Sequence, residues 1–138
     1  MAVSFKEIQS LLNSHLNTLD PKPRIMWENQ WFEVDDNELY LRVHLLPAES
    51  LIKELGSNPL SLERGIYQVD VVGIRGEGWG DVYDWVDKIC NLFYKGLVIS
   101  DSGSDISVRI EKSYPSPGFY DGGRYVVPVN ISYYVFMK

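Results

Sequence analysis

The stretch Gly65-Ile-Tyr-Gln-Val-Asp-Val-Val-Gly-Ile-Arg-Gly-Glu-Gly-Trp-Gly80 constrains this chain more than any other. From Ile66 to Ile74, Tyr67, Val69 and Val71 fall on one side of an extended chain and Gln68 and Asp70 on the other. That period of two predicts a half-buried strand. Glycines then punctuate the chain, and from about Trp79 the apolar spacing becomes helical. Val82, Val86, Ile89 and Phe93 form one side, widened by Trp85 and Leu92, which predicts a helix to about Tyr94. A strand that turns straight into a helix commits the domain to layered α and β elements. Glycine-rich turns before helices also cradle phosphates, but here Asp81 occupies the position of the third glycine in G-x-G-x-x-G. Glu77 and Asp81 would face the anion, and no P-loop lysine follows. The glycines are read as chain reversal off a sheet edge.

The flanking sequence fills in the layers. Ser4-Phe5-Lys6-Glu7 has the form of a capping box, and Phe5, Ile8, Leu11, Leu12, Leu16 and Leu19 recur at helical spacing behind it. Asp20-Pro21-Lys22-Pro23 ends that helix, because proline cannot continue the ladder. His15, beside the stripe, is read as a packing residue. Ile25-Met26-Trp27 is expected as a short strand, and Leu39 to Leu46 as a longer one that Pro47 stops. Glu49 to Leu55 reads as a helical turn, followed by a loop through Gly56, Ser57, Asn58 and Pro59. Gly96 is expected to close the second helix. After the polar loop Ser100 to Asp105, Ile106, Val108 and Ile110 alternate with Ser107, Arg109 and Glu111 as a third main strand. Residues 113–123 read as an irregular, turn-rich excursion. Arg124 to Phe136 is a long strand whose Tyr125, Val127, Val129, Ile131, Tyr133 and Val135 share a face; Pro128, lacking an amide donor, is expected at a bulge or an edge.

The order is helix, strand, strand, helix, strand, strand. The expected architecture is a single α+β domain over residues 1–138, with one mixed sheet of about four main strands and two helices packed on one face. The other face would carry Arg42, His44, Gln68, Asp70, Arg109, Glu111, Asn130 and Ser132, either solvated or meeting a partner.

Chemistry-bearing patterns are scarce. The sequence has no G-x-S-x-G elbow, no Walker motif, and no His or Cys at metal-ligand spacing. No catalytic, cofactor or metal residue is assigned. Cys90 is the one cysteine of the 138 residues and falls inside the second helix, which fits a reducing compartment and no disulfide. The net charge of −6 and basic residues without a run weigh against specific nucleic-acid binding. No uninterrupted apolar run reaches the length of a membrane span, and the N-terminus has no export-signal pattern. Aromatic residues are the stronger clue, at 13% of the chain. Trp31, Phe32, Trp79, Tyr114, Phe119 and Tyr120 fall outside the predicted core stripes. Aromatics are enriched at the centres of protein interfaces, so Trp31, Phe32, Trp79, Phe119 and Tyr120 are the partner-interface candidates. The alternative is that their loops fold back and bury them.

Trp27-Glu28-Asn29, Leu39-Tyr-Leu-Arg-Val43 with Leu46-Pro47-Ala48-Glu49, Gly65-Ile-Tyr-Gln-Val-Asp-Val71 with Gly76-Glu-Gly78, and Asp121-Gly-Gly123 leading to Val127-Pro-Val129 together resemble the tail terminator-like family of small tail-completion proteins in tailed phages and prophages. The resemblance runs from the first helix to the last strand. It implies a non-enzymatic virion structural protein, made in the host cytoplasm and ending in the virion tail. Copies would form a ring, typically a hexamer, that caps the tail tube, ends its polymerisation and prepares the tail for head joining. The implied partners are further copies of the chain, the tail tube protein and a head-completion or connector protein, with no cofactor. The acidic charge would let DNA slide through such a ring without sticking. The alternatives are a neck or connector head-tail completion protein, or a small ligand-binding or enzymatic α+β domain with a pocket at Asp70 or Asp121.

Overall fold

The computed structural model describes residues 4–48, 51–52 and 61–137. Along the chain run α1 (Phe5–Leu16), β1 (Arg24–Met26), β2 (Tyr40–Pro47), β3 (Leu51–Ile52), β4 (Ser61–Val72), α2 (Gly80–Leu92), β5 (Val98–Ser100), β6 (Ile106–Pro115), β7 (Phe119–Asp121) and β8 (Arg124–Met137). The sheet follows the order β1-β2-β4-β8-β6-β5, with β3 added to β4 and β7 to β8. β1 lies parallel to β2 and the other pairings are antiparallel. The fold is therefore α+β with a mixed sheet, as expected, but "about four" strands falls well short. The four main strands are β2, β4, β6 and β8; the additional ones hold only two or three residues each. Strands that short cannot display an alternating pattern.

Both helices bury their stripes against the same sheet face. Ile8, Leu11, Leu12 and Leu16 of α1 and Val82, Val86 and Ile89 of α2 join Leu41, Val43, Tyr67, Val69, Val71, Val108, Ile110 and the odd-numbered residues of β8 from Val127 to Val135 in one cluster. Full burial of each such side chain contributes ~1.5–3 kcal/mol. A second, smaller cluster on the opposite face comprises Tyr40, Val72 and Val126, overlaid by Met26, Phe32 and Val34.

Helix ends depart from the sequence reading in instructive ways. Ser4 Oγ accepts the Glu7 amide at 3.3 Å, one of the two reciprocal bonds of a capping box. α1 stops at Leu16, and Leu19 still packs on the core from the following turn. α2 ends at Leu92 rather than Tyr94, and Phe93 caps it through Ile89 O. Gly96 does not close it. Its φ of 89° directs its amide to Ile110 O at 2.8 Å, starting the pairing along β6. The end of α2 is instead served by His15, whose Nε2 donates to Leu92 O at 2.8 Å while its ring meets Phe93 edge-on at 4.9 Å. One side chain of α1 thus satisfies a terminal carbonyl of α2.

Three strand expectations are also corrected. Leu51–Ile52 pair with Leu62 and Ser61 as strand, not helical turn; the remainder of the expected turn and loop, 49–50 and 53–59, lies outside the described residues. Much of 113–123 is regular, since β6 continues to Pro115 and β7 pairs with Arg124–Val126. Pro128 sits in β8, an inner strand between β4 and β6, and not at an edge. It is tolerated because β6 leaves the ladder at Val129 while β7 begins only at Val126. In that gap its carbonyl still accepts Ser116 N at 2.8 Å, and its missing N–H has no strand to serve. The bulge lies in β6, between Ile110 and Lys112. Gly65 is required by crowding, because a Cβ there would stand 2.5 Å from Tyr133 Oη and 2.9 Å from Leu46 O.

Candidate functional site

On the sheet face away from the helices, register brings Arg42 opposite Asp70 and His44 opposite Gln68. The Asp70 carboxylate meets Arg42 Nη2 at 3.3 Å and His44 Nε2 at 3.5 Å, and accepts Gln68 Nε2 at 2.8 Å. Arg42 also donates from Nη1 to Asp121 on β7 at 3.0 Å. Burial works against the Arg42 charge, but the hydrogen bond to Asp121 and the nearby Asp70 carboxylate hold its pKa above the ordinary value. Asp70 is only 3% exposed, whereas His44 beside it is exposed, so the polar face is not uniformly solvated. Within the sheet face Gln68 donates to the carboxylate, with the Arg42 guanidinium and the His44 ring beside it. Asp121 is exposed on β7. Among the described residues no group of His, Cys, Asp and Glu is placed to hold a metal ion. Burial, then the Asp87 charge, raises the pKa of the Cys90 thiol, which disfavours the reactive thiolate.

The interface candidates fall into separate places. Trp79 and Tyr120 come together. With Ile74, Gly76, Gly78, Tyr83, Gly123 and Tyr125 they line a groove of about 430 Å³ between the β4–α2 turn and the β7–β8 hairpin. Gly76 and Gly78, at φ 77° and 80°, make the turn that carries Trp79 there; side chains other than glycine rarely adopt such angles. Trp79 packs edge-on to Tyr83 at 6.1 Å and Tyr120 tilts against Tyr125 at 5.4 Å. A hydrogen bond to Tyr83, followed by burial, raises the Tyr125 phenol pKa. Trp79 is 68% and Tyr120 79% exposed. Phe119 is also exposed, but it pairs with Val126 rather than Tyr125 and so points to the other face.

Trp31 and Phe32 belong to the connection between β1 and β2. Glu28 Oε1 accepts the Leu45 amide at 2.6 Å, beyond the point where β1 stops pairing with β2. Asn29 then adopts φ 61°, a left-handed conformation that Asn tolerates better than most residues. The turn leaves Trp31 81% exposed, beside a hollow of about 260 Å³ that Arg42 and His44 also line. Phe32 is committed to the smaller cluster, edge-on to Tyr40 at 6.1 Å and under the Arg24 guanidinium at 4.1 Å. Arg124 fixes the same connection by donating to Asp35 O and Glu38 O.

Sequence reasoning missed two features. Tyr83, which lies outside the predicted α2 stripe, and Tyr125, which the alternation of the last strand marks as core, complete the aromatic groove. Arg64, Lys95, Arg109 and Lys112, far apart in sequence, line one broad depression of about 930 Å³ with Glu111 and Tyr134. A scan for basic runs cannot detect cations brought together by strand pairing.

The fold and its surface define a small α+β domain with exposed aromatic and charged patches. The chain belongs to the phage tail terminator family, whose model, described as phage tail terminator protein, matches residues 7–133. That family is one of structural phage tail proteins, which gives this chain a part in tail assembly, alongside other structural proteins of the virion tail. No curated protein matches the chain. Among the solved structures that match, one covers 99% of this chain and 99% of its own, with a TM-score of 0.75 at 21% identity, a likeness of fold. No helix among the described residues is long and apolar enough to cross a membrane.

Proposed function

We propose that copies of this protein form a ring, a hexamer by family resemblance, that caps the tail tube. The ring ends tube polymerisation and offers its free side to a head-completion or connector protein. The observation that carries this reading is the family match across residues 7–133. The exposed aromatics support it, because a closed ring needs two different contact patches on every protomer. Trp79 and Tyr120 at one end, with Phe119 behind them, and Trp31 on the β1–β2 connection are the contact residues; Phe32, next in the chain to Trp31, is packed on Tyr40. The mechanism is geometric and calls for no cofactor.

Electron microscopy of particles assembled without this protein tests the reading. Overlong or variable tails, returned to uniform length by complementation, are the expected result. Tails of normal length that fail to join heads would instead make it a neck or connector component.

A further inference from the structure

The outer face of the sheet carries a patch opposite in sign to the chain as a whole. Arg64 on β4, Arg109 and Lys112 on β6, and Lys95 after α2 converge on the broad depression, where Glu111 is the single acid. Glu111 is paired with Arg64 at 2.8 Å. Lys112 lies over Tyr114 at 5.3 Å, and Lys95 and Arg109 engage no hydrogen bond or ion pair among the described residues. Arg24, Arg42, Arg75 and Arg124, by contrast, are committed to partners within the fold. In a protein of net charge −6, a patch of four cations and one acid, with Lys95 and Arg109 uncommitted, is a local exception.

A matching negative patch lies on the other side of the sheet. Asp81, Asp84 and Asp87 follow one another at three-residue intervals along α2, so they form a strip on the helix surface. All three are exposed, as is Glu77 in the preceding turn. The helix dipole accounts for Asp81 in the first turn, but its influence fades before Asp84 and Asp87. Like charges at this spacing weaken a helix, so local stability does not explain the strip. Lys88, one turn from Asp84, is drawn over the Trp85 ring at 4.2 Å.

We infer that the basic depression of one protomer receives the acidic strip of α2 from the next copy of the chain. The inference rests on the ring reading above and goes beyond it by assigning the two faces that meet. α2 packs on one face of the sheet, whereas Arg64 and Arg109 flank Tyr134 in a cross-strand row on the other. Contact between unlike faces is heterologous, the kind that closes into a ring by rotation. Because the two patches lie on opposite faces, a two-fold contact through the basic face would set basic patch on basic patch. A nucleic acid could occupy the depression, but it would leave the acidic strip unexplained, while a second copy accounts for both patches. Complementary charge of this sort fixes register and excludes wrong partners.

Charge swapping tests the pairing in tails assembled without the native protein and complemented with variants. Arg109→Glu with Lys112→Glu reverses the depression; Asp84→Lys with Asp87→Lys reverses the strip. Circular dichroism and thermal unfolding confirm that each variant folds, and Arg109→Gln with Lys112→Gln replaces the first pair if it does not. Each reversal alone is expected to abolish length control. The fourfold variant is expected to restore it, because every contact then meets a reversed partner. Uniform tails with either single-face reversal would overturn the inference. So would a basic-face defect that the fourfold variant fails to rescue, which would assign the depression to another anionic partner such as DNA. Normal tails in the complete absence of the protein would instead remove the terminator reading itself.

Discussion

Asp70 faces away from the helices and yet is 3% exposed. A charge in such a place needs partners, and Arg42, His44 and Gln68 supply them. Arg42 carries the larger share, since it also reaches Asp121, 79 positions along the chain. Truncating Arg42 to Ala would leave a buried carboxylate without its guanidinium and would untie β7 from β2. Breaking a buried pair from one side costs ~3–5 kcal/mol; Arg42 is partly exposed, so the lower end is expected in urea unfolding. Asp70→Asn keeps the shape and leaves Arg42 its bond to Asp121, at a cost of about 1 kcal/mol. Equal losses would show that the pair does not organise this face. The sequence alternation places Arg42, His44, Gln68 and Asp70 on one side. It does not show that Asp70 is buried, because the Arg42 beside it is tied through Asp121 to β7, a strand too short to leave a pattern.

Between elements, α1 is docked by more than its apolar stripe. The buried Tyr67 of β4 donates its hydroxyl to Asn13 Oδ1 on α1 at 2.6 Å. Burial, then the Glu28 charge, pushes the Tyr67 phenol up; burial, then Glu63, pushes Tyr133 up to about 12. The folded state therefore holds both phenols neutral, whereas an unfolded chain ionises them near pH ~10. Their contribution is intact below that pH and is lost as pH rises toward about 12. Tyr67→Phe is expected to cost about 1 kcal/mol at neutral pH for the lost bond. It should also make the alkaline decline shallower, as read by urea unfolding across a pH series. An unchanged slope would mean that Tyr67 does not titrate in that window. At this scale the sequence was most legible. Both helices and the four main strands announce themselves by period, since each buries one continuous stripe. What it lacks are ties such as His15 to Leu92, which depend on how two distant helices meet on the sheet.

On the scale of the molecule, exposure separates residues that hold the fold from those free to meet other copies or the tube. Trp31 at 81%, Trp79 at 68% and Tyr120 at 79% exposed contribute little to the monomer, whereas Phe32 is half-buried on Tyr40 and Val126. Their common aromatic character hid that difference in the sequence. The shared groove of Trp79 and Tyr120 was equally hidden, because it depends on the unread pairing of β7 with β8. In the proposed ring, Trp79→Ala and Tyr120→Ala should change thermal unfolding by no more than about 0.5 kcal/mol, as exposed substitutions do. Assembly should suffer far more: a central aromatic anchor is worth ~2 kcal/mol, or roughly thirtyfold in affinity, and tails should overrun their length. Phe32→Ala should do the reverse, lowering stability by ~1–2 kcal/mol through the apolar packing it loses. If Trp79→Ala and Tyr120→Ala instead unfold the monomer as readily as Phe32→Ala, the groove is part of the core. The contact surface would then have to be sought at Trp31, Phe119 and the charged faces.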